Sequence, residues 1–117
     1  MQTLSQQRAA RALEILDKIK EKGRDREPFR QFCKSFPTMV LKNGLGQSLA
    51  FIKSKDDKKY ENMYATLNSW LINMGLVKED TFREIHTMDS RKYMQIQTET
   101  IRFLEWIKRY ENAGIFE

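Results

Sequence analysis

A chain of 117 residues with 40% hydrophobic content is long enough for one compact core; its single cysteine excludes an internal disulfide, and its single histidine means that a Cys/His zinc site would need ligands from another chain. Lysine and arginine outnumber aspartate and glutamate by 21 to 16, and the excess sits in the first half: residues 1–59 carry 14 basic and 7 acidic side chains, residues 60–117 carry 7 and 9. No charged-then-apolar leader pattern opens the chain and no apolar run approaches the roughly 20 residues needed to cross a bilayer, so the expected location is the cytoplasm, without a membrane partner.

The five glycines and two prolines fall at apparent helix ends, not at the regular turn spacing of a β chain. The expectation is an all-α fold, a single compact bundle of about five to six helices spanning 1–117 as one domain. Thr3 with Gln6 forms a capping-box pattern, and Gly23 stands where the first helix would end. Ala9, Ala12, Leu13, Ile15, Leu16 and Ile19 share one arc of that helix. Arg8, Arg11, Lys18 and Lys22 make a stripe beside it, read either as a solvated mixed-charge face or as a functional basic edge. Asp25 and Pro28 mark the next start, followed by Phe29, Phe32, Cys33 and Phe36 at i, i+3, i+4 and i+7; that spacing predicts burial for the aromatics and Cys33, not stacking on bases.

Between Lys34 and Lys55 two apolar helical segments surround a glycine break, with lysines at the flanks. Pro37 suits the first turn of a short helix, and Asn43-Gly44 suits a left-handed end to it. Leu45, Leu49 and Ile52 then share a buried face on a restarted helix, with Lys53 and Lys55 at its exit. Gly44-Leu45-Gly46-Gln47 lacks the third glycine of a dinucleotide fingerprint and the Gly-Lys-Ser/Thr of a P-loop. The restart either packs closely on the protein or admits one backbone phosphate at its first N–H groups, where Gly46 leaves room.

Asp56 or Asp57 is expected to cap the following helix, which places Tyr60, Met63, Tyr64, Leu67, Trp70, Leu71 and Met74 on one arc and ends at Gly75. Its back carries Asn62, Thr66, Ser69 and Asn73 without a charge, a surface suited to protein contact, either with this chain's own helices or with another chain. Asp80 or Thr81 opens a short segment with Phe82 and Ile85. Asp89-Ser90 caps a last long helix burying Tyr93, Ile96, Thr100, Phe103, Leu104, Ile107 and Tyr110, with Trp106 at the edge. Met94, Ile101 and Ile115-Phe116 fall outside that arc and leave apolar surface for a neighbour.

The stretch Pro37-Thr38-Met39-Val40-Leu41-Lys42-Asn43-Gly44-Leu45-Gly46-Gln47 and its apolar-lysine tail closely resembles the small helical subunit of type III-B CRISPR effector (Cmr) complexes. Thr3-Leu4-Ser5-Gln6-Gln7-Arg8-Ala9 is similar to that family's opening, Ser69-Trp70-Leu71 to its middle helix and Phe103-Leu104-Glu105-Trp106-Ile107-Lys108-Arg109 to its closing one. The resemblance implies a noncatalytic subunit of an antiviral RNA-guided ribonucleoprotein. It would stack with copies of itself along guide RNA and target RNA, beside the large catalytic subunit and the backbone subunits.

Uneven charge and surplus apolar positions fit that role independently, since a stacked subunit needs one face for a polyanion and another for its neighbours. Arg24, Arg26, Arg30, Lys34, Lys42, Lys53, Lys55, Lys58 and Lys59 are the expected RNA-backbone contacts, with Arg8 and Arg11 as weaker candidates. No catalytic residue is expected: His86 has no carboxylate or nucleophile at helical spacing, and Asp56-Asp57 among lysines suits an N-cap better than a metal. No cofactor is implied. The alternatives are a free DNA-binding regulator using Leu45 to Lys53 as a recognition helix, and a protein-only scaffold.

Overall fold

Several helix starts among the described residues are set by side chains that accept the first unpaired N–H groups. The computed structural model describes residues 1–20 and 26–114, in which five helices follow one another: α1 (Leu4–Lys20), α2 (Arg26–Lys53), α3 (Lys58–Asn73), α4 (Thr81–Glu84) and α5 (Ser90–Ala113), with no strand among the described residues. The capping box ahead of α1 is reciprocal: the Thr3 N–H donates to Gln6 Oε1 at 2.7 Å and the Gln6 N–H to Thr3 Oγ1 at 3.1 Å. Asp57 caps α3 by accepting from the Lys59 N–H, and Asp89 caps α5 by accepting from the Lys92 N–H. Gly75 and Gly114 follow α3 and α5 with left-handed backbone. Gly23 and Ile115-Phe116 lie outside the described residues.

α2 is broken once, at Gly44, where φ 82° and ψ 162° leave the helical region. Pro37 does not open a new helix as expected; it is buried inside the rod that precedes the break. A proline there costs roughly 3 kcal/mol. The stripe Phe29, Phe32, Cys33, Phe36 and Val40 runs straight through it and is fully or almost fully buried, and burial of several large apolar side chains at about 1.5–3 kcal/mol each outweighs that cost.

α2 packs on both α5 and α3, and α1 packs on α5. The core is built from Leu45, Leu49 and Ile52 of α2, Met63, Leu67, Trp70 and Leu71 of α3, and Ile96, Phe103, Leu104 and Ile107 of α5. Trp70 stacks on Phe103 with ring centroids 4.9 Å apart and planes 8° from parallel, joining α3 to α5. Ile101 departs from the expected surface position and packs half-buried against this core.

Two carboxylates lie within this apolar interior. Glu99 of α5 receives both Nε and Nη2 of Arg8, at 2.6 and 2.7 Å, and the Trp70 indole N–H at 3.0 Å; the Arg8 and Glu99 side chains are each only 8% exposed. The charge-assisted bond to Glu99, and its negative charge, raise the Arg8 pKa despite burial. Glu111 is buried near the other end of α5 and pairs with Arg30 of α2 at 3.2 Å. Arg8 therefore leaves the expected basic edge and occupies the centre of the α1 buried face, beside Ala12, Ile15 and Leu16. Leu13, expected in the core arc, is 40% exposed because the face turned to α5 is centred on Arg8 and Ala12 instead.

α4 and its approach are held by polar groups of α3. Asn68 accepts from both the backbone N–H and the hydroxyl of Thr81, and Tyr64 accepts from the Phe82 N–H while donating to Asp80. The Glu84 carboxylate folds back to accept the N–H groups of Lys78, Glu79 and Asp80, each at 2.8 Å. Those backbone bonds hold the Glu84 pKa below its usual value. Burial, then the bond to Asp80, push the Tyr64 hydroxyl well above the ordinary tyrosine range.

Glu99→Ala, which strands the buried Arg8 charge, is expected to cost about 3–5 kcal/mol in chemical denaturation, whereas the double change Arg8→Met with Glu99→Leu recovers most of that loss. Because the folded Glu84 pKa is lowered, its stabilisation is complete above the roughly 4.3 of an unfolded glutamate and is lost as pH falls through the folded value. In NMR titrations the amides of Lys78, Glu79 and Asp80 should move together in that acidic window, and in Glu84→Ala they should already sit at the acid-end positions at neutral pH.

Candidate nucleic-acid interface

The glycine break in α2 creates a second helix start in mid-chain, and its first N–H groups need acceptors. They find them on α5: the Leu45 N–H donates to Gln97 Oε1 and the Gly46 N–H to the Tyr93 hydroxyl, both at 2.8 Å. Gly46 is small because Tyr93 is close, and a methyl group there would stand 3.2 Å from the tyrosine oxygen. Close packing, not phosphate docking, is thus the use made of this restart. The same contacts remove Leu45 to Lys53 as a groove-reading helix: Leu45, Ser48, Leu49 and Ile52 are buried, leaving Gln47 and Lys53 as its exposed polar side chains.

The nine expected cations are not equivalent. Arg24 lies outside the described residues, as does the Arg26 side chain. Arg30 is half-buried and engaged with Glu111, with Glu27 at 3.8 Å, so it holds α2 to α5. Lys34 is partly exposed in the first rod of α2, and Lys42 is fully exposed just before the break. Of the weaker candidates, Arg8 is buried and Arg11 is half-buried, bonded to Glu14 and to the Ser69 hydroxyl at 2.8 and 2.7 Å. The Arg11–Ser69 bond ties α1 to the uncharged back of α3, where Thr66 is buried.

Lys53, Lys55, Lys58 and Lys59 are brought together by the short turn from α2 to α3. Lys53, Lys55 and Lys58 are exposed and Lys59 is half-buried. Three of the four lie over aromatic rings: Lys53 Nζ lies 4.2 Å from the Tyr64 centroid, Lys55 Nζ 5.0 Å from Phe51 and Lys59 Nζ 5.0 Å from Tyr60. Phe51 meets Tyr60 edge-on at 5.6 Å, and Tyr60 meets Phe32 of the core at 4.8 Å. The result is a cationic rim on an aromatic base anchored to the core, able to neutralise phosphates without sequence preference. Phe29, Phe32 and Phe36 are buried and take no part in any exposed surface. The aromatic members Phe51, Tyr60 and Tyr64 were not foreseen as site residues, although each sits within a few positions of a lysine in the sequence.

Leu13, Leu41, Ile72 and Met94 are exposed large apolar side chains on four different helices, Met94 as expected. His86 is exposed and meets the Phe82 ring edge-on at 4.9 Å.

Comparison with known proteins identifies relatives for nearly the whole chain. The family model for the CRISPR-associated protein Cas_Cmr5 matches residues 4–114. A Thermus thermophilus protein named CRISPR system Cmr subunit Cmr5 is 30% identical with full coverage of both chains. The Thermotoga maritima protein of the same name is 24% identical over 93% of this chain and 82% of its own length. The crystal structure of a CRISPR-associated Cmr5 family protein from Thermus thermophilus superposes with a TM-score of 0.80 at 26% identity, covering 97% of each chain.

Tyr93→Phe should lower stability by about 1 kcal/mol through the lost cap. Gly46→Ala should cost more with Tyr93 present than in the Tyr93→Phe background, where the crowding oxygen is gone; a double-mutant cycle on thermal unfolding measures that coupling.

Proposed function

This chain belongs to the Cmr5 family of CRISPR-associated proteins, and from that membership we propose that it acts as the noncatalytic small subunit of a type III-B effector ribonucleoprotein in cytoplasmic antiviral defence. Residues 1–117 act as one helical domain that stacks with copies of itself along guide and target RNA. The backbone subunits and the large catalytic subunit are its other neighbours. Guide pairing reads the sequence, so this subunit needs to meet only the RNA backbone.

The observation that carries the RNA role is the convergence of Lys53, Lys55, Lys58 and Lys59 at the α2–α3 turn, where none of the four is ion-paired to a carboxylate among the described residues. Lys34 and Lys42 extend the candidate surface along α2, and Arg24 and Arg26 remain candidates from sequence alone. Arg30 supports the surface by fixing α2 to α5 more than by reaching RNA. Exposed Leu13, Leu41, Ile72 and Met94 supply apolar positions for neighbouring subunits.

Four neutralised phosphates on a single strand give an expected slope of roughly −3 in log affinity against log salt concentration. One copy alone should bind weakly, with strong binding arising from several linked copies. Changing Lys53, Lys55, Lys58 and Lys59 together to Glu should abolish RNA binding by the full chain, with a loss of thermal stability limited to about 0.5–1 kcal/mol for each of the three cation–π contacts, so that the variant still folds. Salt-independent affinity, or undiminished binding by that variant, would refute the backbone-contact reading. Normal assembly of such a variant into the effector with unchanged RNA content would favour the protein-only scaffold.

A further inference from the structure

We propose that the cleft between the end of α2 and the start of α3 is a subsite for one unpaired nucleotide of single-stranded RNA, with Tyr60 as its stacking surface. This deepens the backbone-contact reading and rests on it. The cleft is lined by Ile52, Lys53, Lys55, Tyr60, Glu61, Tyr64 and Ala65 and has a volume of about 310 Å³. That is at the lower end of the roughly 300–1,000 Å³ of small-ligand sites, the scale of a nucleotide and not of a helix or a protein segment.

Its composition selects the same ligand. Tyr60, Tyr64 and Ile52 supply its apolar lining, with the Lys53 ammonium 4.2 Å from the Tyr64 centroid, and Lys53 and Lys55 outweigh Glu61 in charge. A phosphate-only surface has no use for the rings, and a buried core has no use for the lysines. A single-stranded nucleotide uses both, because its base offers a π-face and its phosphate a charge. The Tyr60 ring is held in place by two others: Phe32 supports it from the core at 4.8 Å and Phe51 from the side at 5.6 Å, with interplanar angles of 71° and 80°. Lys59 Nζ lies 5.0 Å from the Tyr60 centroid but does not line the cleft, where Lys53 and Lys55 supply the cations for the phosphate. Tyr64 is fixed in turn through its hydroxyl by the Phe82 N–H and Asp80, so this part of the lining is preformed.

The test uses the full chain with a uridine decamer carrying one 4-thiouridine, photo-crosslinked and mapped by mass spectrometry, and with a blunt RNA duplex of equal length as competitor. Crosslinks on Tyr60 or Tyr64, and weak competition by the duplex, are expected. Tyr60→Leu should weaken single-strand affinity about fivefold or more without changing the salt slope, and Tyr60→Phe should retain wild-type binding. Crosslinks confined to other segments, equal competition by the duplex, or unchanged affinity in a folded Tyr60→Leu variant would overturn the subsite. The crosslink on the unmodified chain decides the matter even if Tyr60→Leu fails to fold. The two proposals fail differently: loss of binding in the four-lysine variant with crosslinks elsewhere removes only the nucleotide subsite, whereas full binding by that variant removes the backbone-contact reading beneath it.

Discussion

The Glu99 carboxylate is the constraint around which this bundle is arranged. It sits on α5 with almost no access to water, and every lone pair left unmatched there would be expensive. The match comes from two other helices: the Arg8 guanidinium of α1 with two N–H groups, and the Trp70 indole of α3 with one. Because these bonds are directional, they fix the rotation of α1 on α5 and the depth of Trp70 against Phe103 in a way that apolar contact alone would not. The Arg30–Glu111 pair does the equivalent for α2 nearer the C-terminal end of α5. Two ionic contacts at separate heights on one helix, one buried and one half-buried on its arginine side, disfavour other registers because each would leave a buried carboxylate without its cation.

The basic surface is a product of the same economy of cations. Arginines, with their planar forks, are the residues drawn into ionic contacts with the core, and lysines are left at the α2–α3 turn. Positive charge counted along the first half of the chain therefore overstates the field available to a polyanion. What remains is more focused than the count suggests, since the lysines that do converge are gathered over three rings.

Helical periodicity made much of the fold readable in advance. The capping box at Thr3, the caps at Asp57 and Asp89, and the buried runs Phe29 to Phe36 and Leu45 to Ile52 are local features whose cause lies within a few residues, and each lies where pattern puts it. Pro37 misled because its local preference for a helix start is weaker than the burial of the stripe on either side of it. Arg8 misled because a charged residue beside an apolar arc looks solvated unless its partner is known, and that partner is 91 positions away. A signal was available: Glu99 and Glu111 occupy core-facing positions of α5, and a carboxylate on a buried arc calls for a buried cation. The lysine cluster was legible from sequence clustering, whereas its aromatic base was hidden in the assumption that rings at helical spacing are always interior.

The cap on the second rod of α2 also reaches ahead in time. Most helix starts can form as soon as their own first turn has left the ribosome, but the acceptors for the Leu45 and Gly46 N–H groups are 52 and 47 residues downstream. During vectorial synthesis water must stand in as the acceptor for those two N–H groups until α5 is available. The glycine break thus makes the final capping of the middle of the molecule depend on the arrival of α5.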